Sequence, residues 1–166
     1  MKESANVGRS LLHPIVLLAL ALWVLNDHVL KNAYPSELTG KLSDVASLIV
    51  FPLLATAAVE LMRGKRSDVV LVVWVILTGV VMATINVFDA SAEAYRIGLA
   101  AAQWPFLALG PWLSDATLPP LHRVDLTMDP TDLWTLPALL VPLAIGWSRQ
   151  PLLRPVTIIA SHTRHT

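Results

Sequence analysis

The chain has no cysteine among its 166 residues. That excludes a disulfide framework, a thiolate metal site and a thiol nucleophile. Charge is scarce as well. Asp, Glu, Lys and Arg make up 14% of the residues, where a soluble domain carries about 25%. Twelve basic and twelve acidic side chains cancel, so there is no general attraction to nucleic acid. Familiar reaction motifs are missing too. There is no H-E-x-x-H and no G-x-S-x-G, which removes the simplest zinc-hydrolase and serine-hydrolase readings. Thr39-Gly40-Lys41-Leu42 resembles a phosphate loop only superficially. A Walker A motif needs an earlier Gly and a Ser or Thr after the Lys, and this segment has neither. No metal or cofactor is expected. A hard-cation set drawn from Asp27, Asp44, Asp132 and His28 has no ligand spacing behind it.

What the chain has in abundance is hydrocarbon. Hydrophobic residues make up 55%, gathered in runs too long for ordinary core strands, and the class is integral membrane. Residues 1–166 read as a single membrane domain. The first run, 11–30, covers roughly 30 Å as a helix, one hydrocarbon thickness. A cleaved signal peptide is the rival, since Lys2 and Arg9 precede it. However, His13-Pro14 interrupts the start of the run, and it continues beyond Ala19-Leu20-Ala21. Further spans are expected over 45–62, 69–88 and 133–147. Pro52 lies inside the second, which a membrane helix tolerates when neighbours satisfy the freed carbonyl. Between the third and last spans, Glu93, Arg96 and Gln103 line one helical face. A helix over about 92–104 is therefore expected to lie in the interface and to break at Pro105. The expected fold class is all-α, a bundle of four transmembrane helices with one outer interfacial helix.

Charge placement orients the bundle. Lys2, Arg9, Arg63, Lys65, Arg66, Arg149, Arg154 and Arg164 fall on one side of a four-span arrangement, eight of the twelve basic residues. The positive-inside rule places that side, with both termini, in the cytoplasm of a cell with an inner membrane. A fifth span would put three of those arginines outside.

The polar residues that could carry chemistry concentrate where the spans meet the outer face. Asn26, Asp27, His28 and Lys31 end the first span, while Lys41, Ser43 and Asp44 begin the second. Asp27 and Lys31 are four apart and share a face, and Lys31 is long enough to snorkel to the headgroups. Asn26 and Asp27 are too short to snorkel far, which favours an inward role. His28 points about 100° away from Asp27. Thr39 or Ser43 is expected to cap the second span, with Asp44 favoured by the helix dipole. Lys41 is then a cation at the wrong end of that dipole, and needs an anion: Asp27, Asp44 or a lipid headgroup. Asp129-Pro130-Thr131-Asp132 is a capping sequence, with Asp129 at the N-cap and Pro130 at the first helical position.

A weak internal repeat joins the two regions. Ser43-Asp44-Val45-Ala46-Ser47-Leu48 matches Thr131-Asp132-Leu133-Trp134-Thr135-Leu136 in character at five of six positions. The helices before them end in Asn26-Asp27 and in Asn86 followed by Asp89. Repeats of this kind put functional sites at the repeat interface. Asp27, Lys41, Asp44 and Asp132 are accordingly expected to converge. In an enzyme, Asp27, His28, Asp44 and Asp132 would be the acid/base and orienting groups. Asn26, Lys41, Arg96 and Asp129 would hold a lipid or lipid-linked headgroup. The alternative is a non-catalytic membrane protein, an ion or proton relay or a subunit of a membrane complex. Membrane lipid is the expected partner in the first case.

The pattern N-D-H-V-L-K at 26–31, L-T-G-K-L-S-D at 38–44, Q-W-P at 103–105 and D-P-T-D-L at 129–133 resembles a group of small bacterial membrane proteins with no known activity. The acidic pairs near helix starts are also similar to VanZ-like membrane proteins, a resemblance that implies a role in cell-envelope or glycopeptide-response biology. Asp129 and Asp132 match that family's D-x-x-D. Leu136 stands where it has an Asn, and its D-K-x-x-H element is not found around Asp44.

Overall fold

The computed structural model describes residues 7–148. The first six residues of the basic leader, and the tail with Arg149, Arg154 and Arg164, lie outside them. The described residues are all-helical, with no strand. Helix α1 runs Pro14–Ala33, α2 Glu37–Arg63 and α3 Asp68–Val87, and these three are long and apolar enough to cross a membrane. Helix α4, Asp89–Leu113, follows. After an extended stretch the chain turns through a 3-10 segment, Pro130–Leu139, into the short helix α5, Leu140–Trp147.

Each boundary has a local cause. His13 caps α1 by accepting the Ile15 N–H on Nδ1 at 3.3 Å, with Pro14 preorganised at the first helical position. Helix α2 starts eight residues before the apolar run, at a capping box. The Ser36 hydroxyl accepts the Thr39 N–H, and Thr39 Oγ1 accepts the Ser36 N–H at 3.1 Å. The cap is thus Ser36, not Thr39 or Ser43. Box chemistry extends the helix backwards and carries Lys41, Ser43 and Asp44 inside it. Gly64, in the left-handed conformation, ends α2. Buried Glu60 then accepts the Ser67 N–H at 2.9 Å and closes the turn into α3. Glu60 is the lone acid of that apolar stretch, a signal the sequence reading passed over.

Helix α2 is the axis of the bundle. Helices α1 and α3 each pack on it rather than on one another, and the 3-10 segment and α5 cover it from another side. The core joins Val16 and Ala19 of α1, Ile49, Val50 and Leu53 of α2, Leu71 and Val75 of α3, and Ile145 of α5. Gly146 lets α5 approach closely: a Cβ there would overlap the buried Leu71 side chain. The outward surface is apolar, with Leu18, Leu54, Leu61, Val73 and Ile76 all exposed, as a lipid-facing surface requires.

Three expectations need correction. Helix α4 does not break at Pro105, nor does it end at 104; it continues through Pro105 and Pro111 to Leu113. A proline removes one backbone hydrogen bond and crowds the carbonyl four residues before it, which bends a helix without ending it when the bonds on either side persist. The last span is not a uniform helix over 133–147. Pro130 starts it, Pro137 lies inside the tighter 3-10 portion, and regular α-helix begins only at Leu140. The end of α1 is also irregular. Asn26–Leu30 forms a π turn, with the Lys31 N–H bonded to the Asn26 carbonyl, a widening often found at functional sites.

Candidate functional site: a groove with one polar end

The polar end of the bundle is built around α2. Asn26, on the π turn of α1, is fully buried. Its amide donates to the Thr39 carbonyl at 2.7 Å and to Ser43 Oγ at 2.6 Å. Ser43 in turn donates to Asp27 Oδ1 at 2.5 Å, and Lys31 Nζ lies 2.8 Å from the same oxygen. The chain Asn26–Ser43–Asp27–Lys31 therefore ties α1 to α2. Ser43, expected only as a cap, is its central link.

Lys41 projects from another face of α2. Its ammonium donates to Thr131 Oγ1 at 2.7 Å, to Asp132 Oδ1 at 2.8 Å and to Asp129 Oδ2 at 3.4 Å. An ammonium has three protons, and these three acceptors account for all of them. The anion that Lys41 needs is thus the Asp129/Asp132 pair, not Asp27, Asp44 or a lipid. Asp129 also caps the 3-10 segment, accepting the Thr131 N–H at 2.8 Å. The Thr131 bond and the nearby Lys41 charge hold its carboxyl below the usual Asp range.

Asn86 completes a symmetry. It is buried at the end of α3, and its Oδ1 accepts the Asp129 N–H at 3.1 Å. Asn26, on the π turn in the last third of α1, grips the first turns of α2. Asn86 ends α3 and grips the start of the last helical segment.

Between α1 and α3, over α2, runs an open groove of about 570 Å³, within the usual range of small-molecule sites, about 300–1,000 Å³. Its polar end carries Asp27, Lys31, Ser43, Asp44, Ser47 and, from α4, Tyr95. Phe51, Trp74, Leu77, Val81 and Met82 line the remainder. Helical spacing makes this division. Asp44, Ser47, Leu48 and Phe51 form one stripe of α2 at i, i+3, i+4 and i+7. Phe51 lies two turns from Asp44, and its ring meets Trp74 edge-on with centroids 6.2 Å apart. The half-buried Asp44 carboxylate forms no hydrogen bond or ion pair among the described residues. Tyr95 is held neutral, because burial and the Asp44 charge both push its phenol above the ordinary value.

The expected site residues separate accordingly. Asp27 and Asp44 line the groove. Lys41, Asp129 and Asp132 form a clasp beside it, and Asn26 lies beneath it. His28 is exposed and does not line the groove; only its backbone carbonyl is engaged, by Asn32. Arg96 pairs with Glu93 at 3.4 Å and donates to the Leu126 carbonyl at 2.7 Å, fastening the extended segment to α4. Tyr95 went unread in the sequence, and Asn86 was read only as the counterpart of Asn26 in the repeat. Tyr95 neighbours the charged stripe of α4, and Asn86 is an amide near the end of an otherwise apolar span. Among the described residues no group of three or more His, Asp or Glu side chains could hold a metal ion. No protein-family model, curated protein or solved structure matches the chain.

Proposed function

We propose that this chain is a multi-pass protein of a bacterial inner membrane that binds an amphiphile in the groove between α1 and α3. The carrying observation is the groove's division into a polar end and an apolar length beside the lipid-facing surface. A headgroup would sit against Asp27, Ser43, Asp44 and Tyr95, and a chain would run past Phe51, Leu77 and Val81. Because α1 and α3 both pack on α2 rather than on each other, the opening admits a molecule sideways from the bilayer. A lipid or lipid-linked molecule is the natural class, which fits the envelope role implied by the VanZ-like resemblance. The test is native mass spectrometry of the full chain released from detergent. A co-purified amphiphile adduct is expected, and it should be lost in Thr78→Trp, which fills the groove. An absent adduct, or one indifferent to Thr78→Trp, rejects the proposal.

The topology we propose has four crossings, with the Asn26/Asp44 end outward and both termini cytoplasmic. Helix α4 lies at the outer interface. Support comes from the extended stretch that returns along it. Trp104 Nε1 donates to the Pro119 carbonyl at 2.8 Å, and Arg96 holds Leu126. Between these points the Val124 N–H reaches the Arg96 carbonyl at 3.5 Å, and hydrocarbon would cost several kcal/mol for each remaining unsatisfied backbone group. That flank of α4 therefore belongs in water or headgroups, while Phe106, Leu107 and Trp112, all strongly exposed, suit the acyl boundary. Cysteines introduced singly at Lys65 and Thr117 should react with an impermeant maleimide from opposite sides of the membrane. Reaction of both from the same side defeats the arrangement.

A further inference from the structure

We propose that the groove selects an amphiphile with a cationic head, a primary or quaternary ammonium. This rests on the amphiphile-binding reading and names the chemistry of its ligand. Lys31 is taken by Asp27 at 2.8 Å. Lys41, three residues before Asp44, has all three ammonium protons on Thr131, Asp129 and Asp132. Arg96, one residue from Tyr95, serves Glu93 and the Leu126 carbonyl. The cations that might have received a phosphate or carboxylate head are therefore engaged in holding the fold. Of the charged residues that line the groove, Asp44 is the one left over: its carboxylate has no hydrogen-bond or ion-pair partner among the described residues.

An ionised carboxylate near hydrocarbon is costly without a counter-charge. An anionic head entering here would face the unpaired Asp44 carboxylate, while the one cation lining the groove, Lys31, is already neutralised by Asp27 at 2.8 Å. A cationic head would supply the missing partner. The surrounding rings favour the same sign. Trp23 of α1 and Tyr95 of α4 line the groove with Asp44, and aromatic faces attract ammonium groups, most strongly where water is thin. The Ser43 and Ser47 side chains add only neutral polarity.

The shared chemistry, an ammonium on an apolar chain, has two sources: an aminolipid headgroup or a free amphiphilic amine. The full chain is placed in nanodiscs of an uncharged glycosyl diacylglycerol, which contains no amine and does not itself attract a cation. Tryptophan fluorescence is then followed on titration with decyltrimethylammonium, decyl sulfate and decyl maltoside. Saturable binding is expected, with the ammonium at least about tenfold tighter than the neutral and anionic probes, a difference of about 1.4 kcal/mol. Asp44→Asn should remove that preference, and Asp44→Glu should retain it. Added phosphatidylethanolamine that competes with the probe identifies the lipid headgroup as the source. Absence of competition identifies a free amine. Equal affinity for the three heads overturns the proposal while leaving amphiphile binding intact, as does a preference that survives Asp44→Asn. Binding of none of the probes overturns both. Should Asp44→Asn fail to fold, the ranking of the three heads on the unaltered protein still decides.

Discussion

Replacing Asn26 with alanine is expected to cost roughly 2–3 kcal/mol and to lower the thermal midpoint in detergent more than any other single truncation at the polar end. The loss has two parts. Two hydrogen bonds to α2 disappear, at about 1 kcal/mol each, and a fully buried side chain leaves a void that a packed bundle fills incompletely. Asn26 also sits on the π turn, so the void opens where the helix is already irregular. Asn26→Asp should be worse despite its nearly identical shape. It would bury a carboxylate against Ser43, which already serves Asp27, and an unpaired buried charge costs far more than a lost hydrogen bond. Asn86→Ala removes one tie between elements, to the Asp129 N–H, and one bond within its own helix, to the Met82 carbonyl, and should be milder. A thermal midpoint for Asn26→Ala equal to that of the unaltered chain would falsify the tie between α1 and α2.

The second large effect is expected at Lys41. Lys41→Met removes the cation from between Asp129 and Asp132 and leaves two acids facing each other, with Asp132 largely buried (17% side-chain exposure). Breaking an ion pair from one side is more damaging than removing it whole. The single variant should therefore lose several degrees of thermal midpoint, and adding Asp132→Asn should restore part of that loss. A strictly additive double variant would show that the clasp does not couple α2 to the last helix. The acid limb of the stability profile provides a further readout. The Asp129 carboxyl is held below its ordinary value of 3.8 when folded. Its contribution is thus fully present above that value and is lost as pH falls through the lower folded value. Lys41→Met should move this loss to higher pH, because the Lys41 charge is one of the groups holding the carboxyl down.

Much of the architecture was readable from residues alone. Three long apolar runs must become helices in hydrocarbon, where every backbone polar group needs an internal partner; α1, α2 and α3 fall on those runs. The cap at Asp129 was readable for a similar reason. Asp at the cap, Pro at the next position and Asp two residues later are strictly local chemistry. Local reading failed where two local signals competed. Thr39 and Ser43 looked like caps because they precede the apolar run, but Ser36 and Thr39 already form a box, and a box sets the start of a helix whatever its hydrophobicity. Pro105 looked like a break because proline usually is one, yet it costs one backbone bond, and the helix continues to Leu113 on the bonds around it.

The partner of Lys41 was a different kind of question. The sequence by itself determined that a lysine one turn into a helix is unfavourable without an anion, because the helix dipole and the lysine charge have the same sign there. It could not say which of several acids answers. That was decided by the packing of α2 against a segment some ninety residues downstream, which brings Asp132 within 2.8 Å and leaves Asp44 facing the groove. Helix periodicity and end chemistry act over a few residues and are written locally. Which charge meets which is fixed by how whole helices pack, and only the tertiary structure distinguishes the acid that is paired from the acid that is left open.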